Sequence, residues 1–156
     1  MALSNVIEYF KDVNLDHRIV THDIITDTVI HAAQVIGCQP AQIMKTMSFY
    51  VKEDVVLIAM AGDAKISNPK YRAQFHQKAK MIPSFEVLSC VGHNPGGVCP
   101  FAVKDNIKVY LDISLKRFHD VHAAAGDAQS TINLTIDELV KHSNMIDWID
   151  VGKDWE

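Results

Sequence analysis

The run VVLIAMA, residues 55–61, limits the fold more than any other stretch of this chain. Every side chain in it is apolar, so a strand built from it has no face suited to water. Just before it lies KTMSFYV, residues 45–51, where Met47, Phe49 and Val51 alternate with Thr46, Ser48 and Tyr50. That period of two marks a second strand, and Lys52-Glu53-Asp54 is short enough to be the turn between them. The pair predicts a hairpin at the centre of a sheet, closed off by Gly62-Asp63.

Other elements group around this hairpin. A first helix is expected from an N-cap at Ser4, with Leu3, Ile7 and Phe10 on one face. Residues 18–20 read as a short strand. A Thr26-Asp27 cap opens a second helix, in which Val29, Ala32, Ala33 and Ile36 form a stripe; Gly37 ends it and Pro40 discourages continuation. Helices are expected over 69–79 and 84–91, the latter capped by Ser84. In IKVYLDI, residues 107–113, Ile107, Val109, Leu111 and Ile113 point one way and Lys108, Tyr110 and Asp112 the other. Two short strands follow, over 120–125 and 130–134, joined through Gly126-Asp127. Thr135 and Glu138 fit a capping box for the last helix, with Leu134 and Leu139 placed for a hydrophobic staple. Strands and helices mix without a strict βαβ rhythm. The expected fold is mixed α/β, a curved, barrel-like mixed sheet surrounded by helices, in a single domain over 1–156.

Composition sets the outer limits. With 156 residues, 48% of them apolar, the chain has enough for one core and too little for two. No apolar run approaches the ~18 residues of a membrane span, and the first residues show neither a basic n-region nor an apolar h-region. The expectation is a cytoplasmic protein without membrane contact. Cys38, Cys90 and Cys99 are an odd set at irregular spacing, which reads as reduced thiols rather than a disulfide framework. A net charge of −4 argues against a general nucleic-acid binder. One window departs from that charge: residues 64–80 carry Lys65, Lys70, Arg72, Lys78 and Lys80 and no acid. It fits either a solvated helix face or a local phosphate-facing stripe.

Familiar reaction motifs are absent, with no GxGxxG, Walker A, HExxH or GxSxG. Cys90, His93 and Cys99, and His119 with His122, miss the usual zinc spacings, so no metal or other cofactor is expected. Two features remain. Lys45 opens a strand at the edge of the central hairpin. It is either a solvated lysine or a cation for a phosphate, carbonyl or carboxylate at a cleft. VGHNPGGVCPFAV, residues 91–103, brackets Gly96-Gly97 with Pro95 and Pro100. Such a loop is either a stiff turn or a place where a substrate lies against bare backbone N–H groups.

TVIHAAQVIG, IMKTMSF, LIAMAGDAKIS, VGHNPGGVCPF, KVYLDISL and AAAGDAQSTINLTIDELVK follow one another along the chain. The series resembles the YbaK/prolyl-tRNA-synthetase-associated editing domain family, the free-standing aminoacyl-tRNA deacylases, with its (I/V)xKTLxF, TGxxxGGVSPFG and SAGxxxxxLxLxxxDLxx patterns. The likeness spans residues ~20 to 150. It implies a trans-editing hydrolase for mischarged tRNA, typically tRNA for proline carrying cysteine, alanine or another small amino acid. The implied partners are aminoacyl-tRNA, gripped at its acceptor end, and prolyl-tRNA synthetase. The family's key lysine falls on Lys45. Its substrate-binding loop falls on Gly92, Gly96, Gly97, Val98 and Pro100, with Cys99 inside it. The C-terminal wall of the pocket, at Ala123, Ala124 and Gly126, falls where the family selects its amino acid. Lys65, Lys70 and Arg72 become the candidate tRNA contacts.

The chain departs from the family pattern at Cys99, where serine is usual, and at Ala102, where glycine is usual. Ala124 replaces a serine, and Asp127-Ala128 replaces a basic pair. These changes bear on specificity more than on the reaction. The expected chemistry is attack by water, or by the substrate's own thiol when the amino acid is cysteine. The N–H groups of residues 96–98 would hold the oxyanion, and Lys45 would anchor the tRNA 3′ end or polarise the ester. The alternatives are a non-catalytic tRNA- or aminoacyl-binding module on the same scaffold, and a small acyl-ester hydrolase.

Overall fold

A computed structural model of the chain describes residues 2–26 and 28–155, with only the backbone of Ala2. The elements are α1 (Ala2–Asp12), β1 (Ile19–Thr21), α2 (Val29–Ile36), β2 (Ile43–Val51), β3 (Asp54–Ala61), β4 (Lys65–Ile66) and α3 (Asn68–Phe75). They continue with α4 (Ser84–Val91), β5 (Lys108–Asp112), β6 (Asp120–Ala124), β7 (Ser130–Thr135), α5 (Ile136–His142), β8 (Asp147–Ile149) and β9 (Gly152–Lys153). Among the described residues a seven-stranded mixed sheet has the order β1-β7-β6-β2-β3-β5-β8, and β4 pairs with β9 apart from it. The mixed α/β fold expected from the sequence is the one observed.

The hairpin lies at the centre. β2 and β3 pair antiparallel from Met44 opposite Ala61 to Val51 opposite Asp54. β6 flanks β2 and β5 flanks β3, both parallel. Every residue from Val56 to Ala61 is buried, as an all-apolar strand demands. Val56, Ile58 and Met60 pack with Phe49, Tyr71 and Phe75 on one face. On the other, Ala59 and Ala61 pack with Phe10, Phe101, Leu111 and Leu139. The alanines leave room for Phe10 and Phe101, whose rings meet edge to face at 5.0 Å.

Element boundaries differ from expectation where tertiary contacts decide them. α1 already runs from Ala2, so Ser4 sits within its first turn rather than at its cap. Val6 and Phe10 are its buried side chains while Ile7 is 36% exposed. The rows 3-6-10 and 3-7-10 are both helical stripes, and only the sheet selects one. α2 is capped by Thr28, whose Oγ1 accepts from the His31 N–H. The expected Thr26-Asp27 cap lies earlier, and Asp27 lies outside the described residues. α3 stops at His76, in left-handed conformation, rather than at 79. Pro83 occupies the cap position of α4, so Ser84 is its first helical residue and caps nothing. The Thr135–Glu138 capping box forms as expected, with reciprocal bonds of 3.2 and 2.9 Å.

β5 ends at Asp112, short of Ile113, because the carboxylate turns to cap a 3-10 turn over Ile113–Arg117. Asp112 is buried. Its Oδ1 accepts the N–H groups of Val151 and Gly152 at 2.8 and 3.1 Å, and its Oδ2 accepts that of Ser114 at 3.0 Å. This acid therefore fastens the C-terminal segment to the sheet. The short strands β4, β8 and β9 escape sequence reading, since two or three residues carry no periodicity.

Candidate active site

A cavity of about 210 Å³ opens where β2, β6 and β7 meet α2 and the glycine loop. The parallel register sets Ile43 of β2 beside His122 of β6, and Met44 beside Ala123. Across β6, Ala124 stands opposite Thr131 of β7. Val121 and Ala123 turn to the main core, while His122 and Ala124 stay half-buried. Thr26, Thr28, Val29 and Ala32 form the wall supplied by α2 and the segment before it.

Lys45 and Thr46 line this cavity side by side. Lys45 is half-buried, and its ammonium makes no hydrogen bond or ion pair among the described residues. Burial pulls its ammonium below the usual lysine value; Asp63 opposes that shift and Lys65 adds to it. Asp63 is itself held by Arg117, at 2.6 and 3.0 Å. Thr46 Oγ1 is buried with no hydrogen-bond partner. An unmet buried hydroxyl costs about 1–3 kcal/mol.

Gly96 and Val98 also line the cavity. Gly96 has φ 86°, which a residue with a Cβ adopts only under strain. Gly97 is needed for another reason. A Cβ there would fall 2.3 Å from the Asp127 nitrogen and 2.4 Å from its Cα. The Gly97 N–H donates to Asn94 O at 2.9 Å, and its carbonyl accepts the Gly126 N–H at 3.1 Å. The glycine loop and the β6–β7 turn are thus stitched together. The Gly97 N–H is spent within its own turn, so within residues 96–98 it is not available to an oxyanion. The N–H groups of Gly96 and Val98 have no partner among the described residues.

Residues 25–142 match the sequence profile of the aminoacyl-tRNA editing domain. The chain belongs to that family. An uncharacterised protein of Bacillus subtilis (strain 168), YwhH, is 45% identical over the full length of both chains. The proline–tRNA ligase of Staphylococcus aureus (strain Newman) is 26% identical over 70% of this chain, which spans only 19% of that enzyme. A solved structure described as a proposed trans-editing enzyme for prolyl tRNA synthetase superposes with a TM-score of 0.86, at 23% identity, over 97% of both chains. At that identity the likeness speaks for the fold.

Within this editing domain, the cavity gathers Lys45, Gly96, Val98, Ala123 and Ala124 from the residues expected at the site. The others lie behind it or elsewhere. Gly92 is the left-handed C-cap of α4, its N–H bonded to Leu88 O, and it does not line the cavity. Gly126, with φ 107°, serves the turn that holds Gly97. Cys99 is wholly buried with Phe101 and Leu115. Its Sγ lies 3.5 Å from His93 Nε2, which donates to Phe101 O at 2.7 Å. Burial pushes the thiol up to about 12, so it stays protonated. Cys99 anchors the loop from behind and does not touch the cavity. Pro100 is buried beside it.

The basic stripe lies apart from the cavity lining. Lys65 is exposed on β4, Arg72 is exposed on α3, and Lys70 is bound to Asp150 Oδ1 and Gly152 O, both at 3.0 Å. Of the three, Lys65 is the one whose charge bears on Lys45. Thr46 and Thr131 are cavity residues that sequence reasoning does not single out, and His122 enters it only as a rejected metal ligand. For His122 a signal exists, since it alternates with Ala124 on one strand. Among the described residues no group of three or more His, Cys, Asp or Glu is arranged to hold a metal ion. No helix among them is long and apolar enough to cross a membrane.

Proposed function

We propose that this protein is a trans-editing deacylase, hydrolysing the ester of tRNA for proline mischarged with cysteine, alanine or another small amino acid. The observation that carries the reading is the meeting of Lys45 and the glycine loop around one cavity. A lone lysine and a lone glycine pair are each more often a solvated charge and a turn. Together they bring to one concavity a cation and two residues whose N–H groups are unpaired, the kinds of group a developing oxyanion requires.

In this reading the aminoacyl group enters the cavity, and the ribose and acceptor strand remain outside. About 210 Å³ is below the ~300 Å³ at which drug-sized pockets begin, so it favours a small acyl group. Water attacks the ester carbonyl carbon. The carbonyl oxygen gathers charge against Lys45 and the N–H groups of Gly96 and Val98. One such donor is worth about 3–4 kcal/mol. A methylene in the pocket discriminates by only about 1–3 kcal/mol, so the small Ala124 sets a size limit rather than a sharp preference.

Incubation with mischarged tRNAs and with free aminoacyl esters tests the proposal. The intact protein should deacylate a mischarged proline tRNA. Lys45→Ala should lower kcat by roughly 10²-fold or more while circular dichroism stays unchanged. Full activity in Lys45→Ala would remove the assignment. Binding without cleavage would instead point to a binding module, and equal cleavage of free esters to a small acyl-ester hydrolase.

A further inference from the structure

Besides Lys45, His122 is the only titratable side chain on the cavity wall among the described residues. Its ring nitrogens have no hydrogen-bond partner among those residues. Asp120 and His22, whose charges bear on it, are both engaged. Asp120, two residues earlier on β6, accepts from Asn133 Nδ2 at 2.7 Å and from Gln42 Nε2 at 3.4 Å. His22 Nε2 pairs with Thr131 Oγ1 at 2.8 Å. α2 presents Val29 and Ala32 to the cavity, and β2 presents Lys45. Among these side chains only His122 offers a nitrogen lone pair that is not already engaged.

Its position complements Lys45. His122 stands beside Ile43, and Lys45 follows two residues later on the same strand, an advance of about 6.6 Å. With a strand spacing of about 4.8 Å the two Cα positions are about 8 Å apart, room for an ester carbonyl held by Lys45 with a water molecule between it and the imidazole. Burial also holds His122 below the usual histidine value, against the pull of Asp120 and with the push of His22. The ring is therefore neutral near pH 7, with a lone pair to accept a proton.

We propose that His122 is the general base of the deacylation. As the water oxygen bonds to the carbonyl carbon, one water proton passes to the unprotonated ring nitrogen of His122, and the carbonyl π electrons move onto oxygen. Collapse of the tetrahedral intermediate breaks the bond between the carbonyl carbon and the ribose oxygen. The imidazolium returns its proton to that oxygen, leaving free amino acid and uncharged tRNA.

This inference rests on the deacylase reading and is separable from it. kcat and KM for a mischarged proline tRNA are measured from about pH 5 to 9 for the intact protein, His122→Asn and Lys45→Ala. Wild-type kcat should fall on the acid side as one group protonates. His122→Asn should lose roughly 10²-fold or more in kcat with KM unchanged, and should lose the acid limb. NMR titration of the His122 ring in the intact protein should give the same midpoint as the acid limb of kcat/KM, which reports the free enzyme, a readout independent of whether the variant folds. A retained kcat, a change in KM alone or a mismatched midpoint would overturn the role of His122. If Lys45→Ala is inactive while His122→Asn is not, the deacylase reading stands and this inference falls. If the intact protein cleaves no mischarged tRNA, both fall.

Discussion

Ala102 has φ 54°, inside the left-handed region. The family pattern places glycine there, and the backbone of this chain still adopts the conformation glycine would favour. The strain is of order 1 kcal/mol. Ala102→Gly should therefore raise the unfolding free energy by about 0.5–1 kcal/mol, read as a higher urea midpoint, less whatever glycine adds to the entropy of the unfolded chain. A lower midpoint would show that the alanine side chain contributes packing that outweighs its backbone strain. Cys99 gives the opposite lesson. Its neighbours in sequence suggest a contact with substrate, yet it points into the core beside His93, out of the cavity. Whether a loop side chain faces inward or outward depends on what packs behind the loop.

At the scale of elements, the glycine loop is legible as a controlled segment, but its division of labour is not. Gly96 is required for its own backbone angle, a local property. Gly97 is required because the Asp127 backbone passes against it, a property of a distant turn. Gly97→Ala must push the two loops apart, since backbone cannot yield as a flexible side chain does. It should cost more stability than Gly96→Ala, whose left-handed strain is about 1–2 kcal/mol. It should also lower kcat, because Gly96 and Val98 move with the loop. Denaturant midpoints and initial rates compare the two, and equal losses would contradict the contact. The capping box and the central hairpin, by contrast, rest on residues close in sequence and are plain from it.

For the whole molecule, a net charge of −4 leaves little general attraction for tRNA, so any docking must be local. Lys70 is already neutralised by Asp150, whereas Arg72 and Lys78 are exposed and border one cleft with Asn68. Arg72→Glu combined with Lys78→Glu should raise KM for mischarged tRNA and flatten its salt dependence by roughly one log unit per lost phosphate contact. Hydrolysis of a free aminoacyl ester should not change. An equal effect on both substrates would show that the stripe is a solvated face.

The amino-acid sequence by itself determined the all-apolar central strand, the hairpin, the last helix cap and the series of motifs that marks the editing domain. Each depends on side-chain periodicity or on residues within a few positions of one another. Only the tertiary structure decided that His122 shares a cavity with Lys45, that Gly97 serves the Asp127 turn and that Cys99 serves the core. Those facts depend on strand order and register, which bring together residues far apart in the chain. No local pattern specifies such a meeting, because many strand orders bury the same apolar surface and the observed one sets β6 beside β2.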